Sequence, residues 1–242
     1  MRVYCPAKDI GKSEITITDS RQLHHLLNVL RIKEGEALGV FDGNKEYECM
    51  VKAIAKDKIS AKIIKVKTQK SSRGLEVTLA CAIPKRVKIE YIIEKCTELE
   101  VKKIIPVITD RTIVKVEGER SLAKLKRWQK IAMEASQQSG RISFPEISQA
   151  LKFNEVLSSV KEYDLALIPN LKTGNKSIKE VLANFNGKSV IIFIGPEGDF
   201  SEKEIKLAEK NGCQGVSLGD LVLKVDTAAI AIAAFLHFSY DI

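Results

Sequence analysis

The residues best suited to chemistry lie in one stretch near the end of the chain. Residues 190–194 form an unbroken apolar run, and Gly195-Pro196-Glu197-Gly198 follows it directly. Such a run is typical of a fully buried parallel strand, and open α/β sheets bind ligands at the carboxyl ends of their strands. The alternative is a tight turn that needs glycine only for its backbone angles. The spacing alone does not decide between a binding turn and a structural one.

Two other predicted strands end in comparable residues. Ile168-Pro169-Asn170 closes a strand at 165–169, and Leu218-Gly219-Asp220 closes one at 215–218. Because parallel strands end at the same edge of a sheet, these segments and the Gly195 turn should line one crevice. Backbone amides, glycines and a carboxylate suit a nucleoside-like cofactor. The phosphate-binding GxxxxGK[ST] and dinucleotide-binding GxGxxG patterns do not occur in the sequence.

Basic residues are the second chemical signal. The chain carries 39 Lys and Arg against 31 Asp and Glu, a net charge of +8 that favours polyanionic partners, nucleic acid first. Several of these residues fall just beyond predicted element ends, where contacts to phosphate are possible. They are Lys85, Arg86, Arg111, Lys115 and Arg141. Taken singly, each is more often a solvated surface charge.

Cysteine and histidine usage argues against a metal site and against secretion. The five cysteines are scattered without a CxxC pair, and only three histidines are present. We expect reduced thiols packed as small apolar side chains, and adjacent His24 and His25 cannot both face one metal from a helix. The first residues lack a signal-peptide core, and the apolar stretch 228–238 is too short to cross a bilayer. The expected location is the cytosol.

The first 70 residues predict a small β-barrel domain. Residues 13–19 alternate as a half-buried strand does, and strands follow at 37–41, 47–54 and 59–66. Asp42-Gly43-Asn44 is a hairpin turn. Asp19 or Ser20 caps a single short helix whose inward side chains are leucines. These are Leu23, Leu26, Leu27 and Leu30. The polar, basic segment 65–74 then marks a linker, with the domain boundary near residue 70.

From residue 75 onward the pattern changes to alternating strands and helices. The strands are predicted at 77–84, 104–108, 165–169, 190–194 and 215–218, and the helices at 87–99, 121–139, 178–185, 202–211 and 227–240. Leu122 and Trp128 are expected on the inward face of the second helix, which Gly140 ends. Ser201 and Glu204 form a capping box. This alternation predicts an α/β fold with a mostly parallel sheet covered on both faces.

Several motifs taken together resemble a known family. The most specific are Gln137-Gln138-Ser139-Gly140-Arg141 and Ile194-Gly195-Pro196-Glu197-Gly198; Leu26-Leu27-Asn28-Val29-Leu30-Arg31, Glu94-Lys95-Cys96-Thr97-Glu98-Leu99 and Leu218-Gly219 also match. The chain resembles the RsmE family of 16S ribosomal RNA uridine-N3 methyltransferases, of the SPOUT superfamily, over nearly its whole length. It departs from the pattern at four positions. Asp199 replaces a glycine, Leu221 and Lys224 replace arginines, and Asp226 replaces a glutamate.

The resemblance implies a fold, a cofactor and partners. It implies a PUA-like barrel over residues 1–70 that helps to bind RNA, and a SPOUT domain over 71–242 with a C-terminal trefoil knot. The knot would hold S-adenosylmethionine, and two chains would form a homodimer that buries the last helix. The methyl acceptor would be N3 of a uridine in 16S ribosomal RNA of the small subunit.

The resemblance also suggests roles for individual residues. The cofactor would be held by Ile168, Gly195, Pro196, Glu197, Gly198, Leu218, Gly219 and Leu223, and RNA by Arg31, Arg111 and Arg141. Glu197 and Asp226 are the candidate acceptors of the uridine proton, although a structural role is open for both. Two other functions also remain open: an RNA methyltransferase with a different RNA target, and a SPOUT-like protein that binds RNA without catalysis.

Overall fold

The computed structural model of the chain describes residues 1–68, 74–85, 88–113, 119–171, 174–183 and 185–240. The chain divides into two compact units. The first unit comprises residues 1–71 together with 136–144, and the second comprises 72–135 together with 145–242. A segment far along the chain is therefore part of the first unit.

A five-stranded sheet forms the first unit, in the order β1-β3-β4-β5-β2. Its strands are β1 (Arg2–Tyr4), β2 (Glu14–Ile17), β3 (Ala37–Phe41), β4 (Lys45–Ile54) and β5 (Ile59–Thr68). A 3-10 turn (Ala7–Asp9) follows β1; helix α1 (Ser20–His24) follows β2 and continues into a π-helical turn (His25–Val29). β1 pairs with β3 in parallel, and the other pairs are antiparallel. Ile15, Ile17 and Leu26 belong to the core of this unit.

The local signals that predicted this unit act through specific hydrogen bonds. Asp19 is the N-cap of α1, where its carboxylate accepts from the amides of Arg21 and Gln22 at 3.1 and 3.0 Å. In the β3–β4 turn, Gly43 takes a φ of +96°, which favours glycine. The predicted cap and hairpin are confirmed. Leu30, expected to face inward, is instead exposed, because the helix ends in the π-helical turn before this residue.

The second unit is built on an eight-stranded sheet in the order β11-β13-β10-β12-β6-β7-β8, with β9 also pairing to β7. Its elements in chain order are β6 (Glu76–Ala82), α2 (Lys88–Glu98), β7 (Lys103–Ile108), α3 (Glu119–Ser139), β8 (Glu146–Ile147), β9 (Leu151–Lys152), α4 (Phe153–Ser158), a 3-10 turn (Val160–Glu162), β10 (Leu165–Pro169), β11 (Lys176–Ser177), α5 (Ile178–Leu182), β12 (Ser189–Ile194), α6 (Glu202–Lys210), β13 (Gln214–Ser217) and α7 (Val225–Ser239). Every pairing in the sheet is parallel. The predicted parallel α/β fold is confirmed.

Side chains from β12 pack into apolar layers on both faces of this sheet. Val190, Ile192 and Ile194 belong to the layer that includes residues of α2 and α7. Ile191 and Phe193 belong to the opposite layer, with residues of α4 and α6. A strand buried on both faces needs apolar residues at every position. This requirement explains why its sequence shows no polar alternation.

The sequence patterns were least informative where elements are short or exposed. α4 and the two-residue strands β8, β9 and β11 were not predicted, because they are too short to display a period. Leu122, predicted to face inward, is 53% exposed, whereas Trp128 on the same helix is buried. Leu122 therefore lies outside the packed part of the helix. Gly140 has a φ of +87° directly after α3, as expected for a helix-ending glycine.

Candidate functional site

Three loops at the carboxyl ends of neighbouring strands converge on one cavity in the second unit. The cavity has a volume of about 230 Å³, and the loops follow β10, β12 and β13, which are adjacent in the sheet. Six of the residues predicted to hold a cofactor line it: Gly195, Pro196, Glu197, Leu218, Gly219 and Leu223. The structure therefore brings together the three strand ends that the sequence singled out.

Two of the predicted cofactor residues lie outside this lining. Ile168 is fully buried in the core layer on the α4 and α6 face of the sheet. Gly198 is exposed on the turn beyond the cavity, next to the side chain of Arg111. Alternation along β10 explains the position of Ile168, because neighbouring strand residues point to opposite faces.

Eleven further residues of the described ranges line the cavity; of these, Pro169 and Asn170 belong to a strand end predicted to line the crevice, but none was among the eight residues expected to hold the cofactor. The eleven are Pro169, Asn170, Leu171, Ile194, Asp199, Ser217, Leu221, Val222, Lys224, Val225 and Ala228. Most belong to the same loops as the predicted residues. The prediction would have included them if each predicted segment had been continued by two or three residues along its loop. Leu221 and Val222 are 78% and 77% exposed although both are apolar.

Gly195 is required by the close approach of the chain to itself. A Cβ atom at this position would lie 3.0 Å from Oδ1 of Asp199 and 3.2 Å from the Phe200 ring. Real Cβ atoms are rarely so close to their neighbours, so a side chain here would displace the turn. Gly219, on the other side of the cavity, has a φ of +120°, a conformation that favours glycine.

The turn that follows Gly195 holds Asp199 in an unusual backbone conformation. The amide of Asp199 donates to the Pro196 carbonyl at 2.9 Å, and its φ is +61°. Its Oδ1 accepts from the Phe200 amide at 2.7 Å. Burial raises the pKa of the Asp199 carboxyl, while the Phe200 amide and the positive charge of Arg111 act in the opposite direction. The carboxylate is therefore partly withdrawn from water at the edge of the cavity.

Glu197, a candidate proton acceptor, makes a structural contact. Its side chain is exposed, and its Oε1 accepts from the Lys85 amide at 3.0 Å. Lys85 follows β6, the strand next to β12. The hydrogen bond therefore joins the loops after two neighbouring strands. The carboxylate still lines the cavity, so the contact is compatible with either role considered from the sequence.

Asp226, the other candidate acceptor, lies in the first turn of α7. The Lys88 ammonium lies 3.5 Å from its Oδ1. Within the described part of the chain this oxygen is buried and accepts no hydrogen bond. A carboxylate near a helix N-terminus is favoured by the helix dipole. The neighbouring Val225 and Ala228 line the cavity, which places Asp226 beside it.

Asn170 is a polar residue buried at the cavity wall. Only 8% of its surface is exposed; its side-chain nitrogen donates to the Ile168 carbonyl at 3.1 Å, and its Oδ1 accepts from Asn175 at 2.8 Å. These bonds fix the amide, because a buried polar group is costly unless it is paired. Its place directly after β10 is the sequence signal that points to it.

The three arginines predicted to hold RNA are not gathered in one unit. Arg31 and Arg141 belong to the first unit, and Arg111 belongs to the second. Arg31 is exposed, with a φ of +53°. Arg141 is 8% exposed, and its Nε donates to Ser143 Oγ at 3.5 Å. The basic positions Arg86 and Lys115 lie outside the described residues.

Arg2 donates hydrogen bonds to the carboxyl end of α3 within the first unit. Its Nη1 donates to the Ser136 carbonyl at 2.8 Å, and its Nη2 donates to the Arg141 carbonyl at 2.9 Å. Its Nε donates to Glu46 at 2.8 Å, and its guanidinium lies 3.9 Å from the centre of the Phe41 ring. The last carbonyls of a helix lack partners inside the helix. Arg2 supplies donors to this end.

The cysteines are free and buried, in agreement with their predicted role as small apolar side chains. Burial raises the pKa of the Cys96 and Cys213 thiols to about 12. Over the described ranges there is no group of three or more His, Cys, Asp and Glu residues arranged to hold a metal ion. In those ranges no helix is long and apolar enough to span a membrane.

Two known domain families match the chain. The RNA methyltransferase domain family matches residues 71–237, and the RNA methyltransferase PUA domain family matches residues 17–64. An eight-stranded parallel sheet with a cavity at its strand ends, together with a PUA domain, thus places the chain in the RNA methyltransferase class.

Similar proteins extend over almost the whole chain. The ribosomal RNA small subunit methyltransferase E of Synechocystis is 33% identical and covers 96% of this chain and 76% of its own. A methyltransferase of Legionella pneumophila, solved with its cofactor SAM, is 31% identical with a TM-score of 0.88, covering 100% and 98%. The Neisseria gonorrhoeae ribosomal RNA small subunit methyltransferase E, solved with S-adenosyl methionine, is 28% identical with a TM-score of 0.83, covering 98% and 97%. The chain belongs to the ribosomal RNA small subunit methyltransferase E family.

Proposed function

We propose that the protein transfers a methyl group from S-adenosylmethionine to N3 of a uridine in 16S ribosomal RNA. The observation that carries the proposal is the cavity at the ends of β10, β12 and β13, in a chain of this family. The N3 position follows from the family resemblance described above. The RNA substrate is further supported by the PUA domain match and the net charge of +8.

The cavity has the character of a nucleoside site. Its walls combine the apolar side chains of Leu218 and Leu223 with the glycine turns at 195 and 219. A Cβ at Gly195 would come too close to Asp199 and Phe200, so the turn requires glycine at this position. Apolar walls with a few polar groups are typical of cofactor pockets. We propose that Gly195–Glu197, Leu218, Gly219 and Leu223 contact the cofactor. Gly198 would act through the shape of the turn, and Ile168 by supporting the sheet beneath it.

The protein's own contribution to methyl transfer is orientation and proton acceptance. The cofactor supplies a methyl group already activated on a sulfonium. The chain must align the uridine with it and exclude water. Uridine N3 carries a proton, which must leave as or before the new bond forms. We propose Glu197 or Asp226 as its acceptor. Glu197 lines the cavity, whereas Asp226 lies beside it and is paired with the Lys88 ammonium, so both carboxylates are candidates to be tested.

RNA binding is proposed for both units. Arg31 is exposed on the first unit, where its guanidinium can contact a phosphate. Arg141 lies close to the exposed Gln138 and Ser139 of the matched motif; its own surface is nearly covered. We propose that Arg141 contributes to the RNA surface together with these neighbours. Arg111 instead donates a hydrogen bond to the carbonyl of Gly198 in the turn after β12.

Assembly, chain threading and location complete the proposal. We propose a homodimer that buries α7, whose exposed residues include Thr227, Ala231 and Phe238, the last 81% exposed. Small residues on a helix permit close approach of a second helix.

The trefoil knot implied by the family would lie in the second unit, around the cavity. A ribosomal RNA substrate and reduced cysteines fit the cytoplasm.

One experiment tests the function directly. 16S ribosomal RNA is isolated from cells that lack the gene, with and without the gene returned, and its nucleosides are analysed by mass spectrometry. We expect 3-methyluridine to be absent from the RNA of cells that lack the gene and to be present again when the gene is returned. A protein that restores no methyl group but binds the RNA would be a non-catalytic RNA-binding protein. A methyl group found on another RNA would instead identify a methyltransferase of different target.

A further inference from the structure

The loop after β7 fastens the turn that borders the cavity. β7 and β12 lie on either side of β6 in the sheet, so the β7 loop reaches past the end of an intervening strand. Asp110 Oδ2 accepts from Ser201 Oγ at 2.7 Å, and the Asp110 amide donates to Glu204 Oε1 at 2.9 Å. The other oxygen of Glu204 accepts from the Ser201 amide at 2.8 Å. The buried Glu204 thus joins the β7 loop to the start of α6.

Arg111, the next residue in this loop, contacts the turn itself. Its Nη1 donates a hydrogen bond to the carbonyl of Gly198. Its side-chain carbon Cδ lies 3.4 Å from the position that a Cβ on Gly198 would occupy. The guanidinium is therefore directed at the turn bordering the cavity, and the Cδ methylene group of Arg111 packs beside Gly198. A hydrogen bond to a charged donor is stronger than one between neutral groups.

Asp199 explains why this turn needs a support. Its φ of +61° is less favourable for Asp than it would be for glycine. Its carboxylate is also half-buried, and a buried charge needs compensation. Arg111 holds the preceding carbonyl, and its positive charge favours the ionised Asp199 carboxylate. One side chain therefore addresses both costs of this conformation.

We propose that Arg111 is a positioning residue of the cofactor site, which fixes the Gly198–Asp199 backbone and compensates the Asp199 charge. This role differs from the phosphate contact expected from the sequence. The inference rests on the proposed cofactor site, because it assumes that the Gly195–Asp199 turn shapes the space for S-adenosylmethionine. Its consequence is specific: loss of Arg111 weakens cofactor binding and leaves RNA binding unchanged.

The test compares ligand affinities of the full chain and its variants. Isothermal titration gives the Kd for S-adenosylmethionine and for S-adenosylhomocysteine. For Arg111→Ala we expect both Kd values to rise about tenfold or more, as loss of a charge-assisted hydrogen bond predicts. Arg111→Lys should recover part of the affinity. The matched control is Arg127→Ala, an exposed arginine paired with Glu90 on the helices α3 and α2; it should bind as the parent does.

A double variant separates positioning from general damage. Glycine adopts a positive φ without strain and carries no charge. If Arg111 supports Asp199, then Asp199→Gly in the Arg111→Ala background should restore cofactor affinity to within a few-fold of the parent. Failure of this rescue would contradict the compensation that we propose.

RNA titrations over a salt series decide between the two roles of Arg111. A phosphate contact would lower the slope of log K against log salt by about one unit in Arg111→Ala. An unchanged slope with weakened cofactor binding supports the inference; a lower slope with unchanged cofactor binding overturns it.

Gly195→Val tests the underlying site independently. If the parent binds the cofactor and Gly195→Val binds it equally well, the proposed site itself is wrong.

Discussion

Arg31→Gly should increase stability while it weakens RNA binding. Arg31 has a φ of +53°, and the left-handed region costs a residue with a Cβ about 1–2 kcal/mol. Glycine removes this cost, but it adds about 0.5–1 kcal/mol of chain entropy in the unfolded state. The net gain should be about 0.5–1 kcal/mol. A residue that retains this cost at an exposed position is a candidate for a functional side chain.

The assay pairs urea unfolding with RNA titration. The unfolding midpoint of Arg31→Gly should rise slightly, while the slope of log K for RNA against log salt should fall by about one unit. The matched control is Arg127→Gly. This residue lies within α3, where glycine should cost about 1 kcal/mol, the opposite sign, without affecting RNA binding. A destabilised Arg31→Gly would refute the backbone argument, and unchanged RNA binding would refute the proposed contact.

Three further predictions concern the chemistry, the assembly and the thiols. Of Glu197→Gln and Asp226→Asn, the variant that removes the proton acceptor should lower the single-turnover methylation rate about 100-fold, with a smaller defect at higher pH as uridine ionises unaided. If both variants methylate at the rate of the parent, the acceptor is water or an RNA group. If the proposed dimer forms, Phe238→Asp should be a monomer in light scattering, and a parent that is already monomeric would contradict the proposal. Cys96 and Cys213, with pKa values of about 12, should resist iodoacetamide at pH 8 until the chain is unfolded, because about one such thiol in 10,000 is ionised there. The same burial should lower stability above about pH 9, where the thiols ionise in the unfolded chain and remain protonated in the folded one.

The parts of the fold predicted from sequence are those governed by local rules. The apolar run at 190–194 predicted a strand buried on both faces, and the Ser201–Glu204 capping box predicted the start of α6; both are confirmed. The strand ends that line the cavity followed from these elements, because parallel strands end at one edge. By contrast, the position of Leu122 depends on where α3 leaves the packed layer, which no local pattern records.

Side-chain contacts between loops were the part that sequence could not supply. Arg111 and Gly198 are 87 residues apart, and no pattern in either segment predicts that they are in contact. A basic residue after a strand is compatible with a phosphate contact, and only the strand order β12-β6-β7 places it near the turn. Ile168 was expected to face the cofactor because its motif does, whereas alternation along β10 directs it to the opposite face.

The contact between Arg2 and Ser136 has a consequence for synthesis of the chain. The two residues are separated by 134 positions, and residues 136–144 complete the first unit. Phe144 lies against Gly43 and within 5.4 Å of the Tyr4 ring, between ring centroids. During translation this unit cannot acquire its last segment until residue 144 has left the ribosome, when residues 72–135 of the second unit have already emerged. A fragment ending near residue 70 should therefore expose Tyr4 and Phe41 to water and aggregate, whereas addition of a peptide spanning 136–144 should restore its solubility.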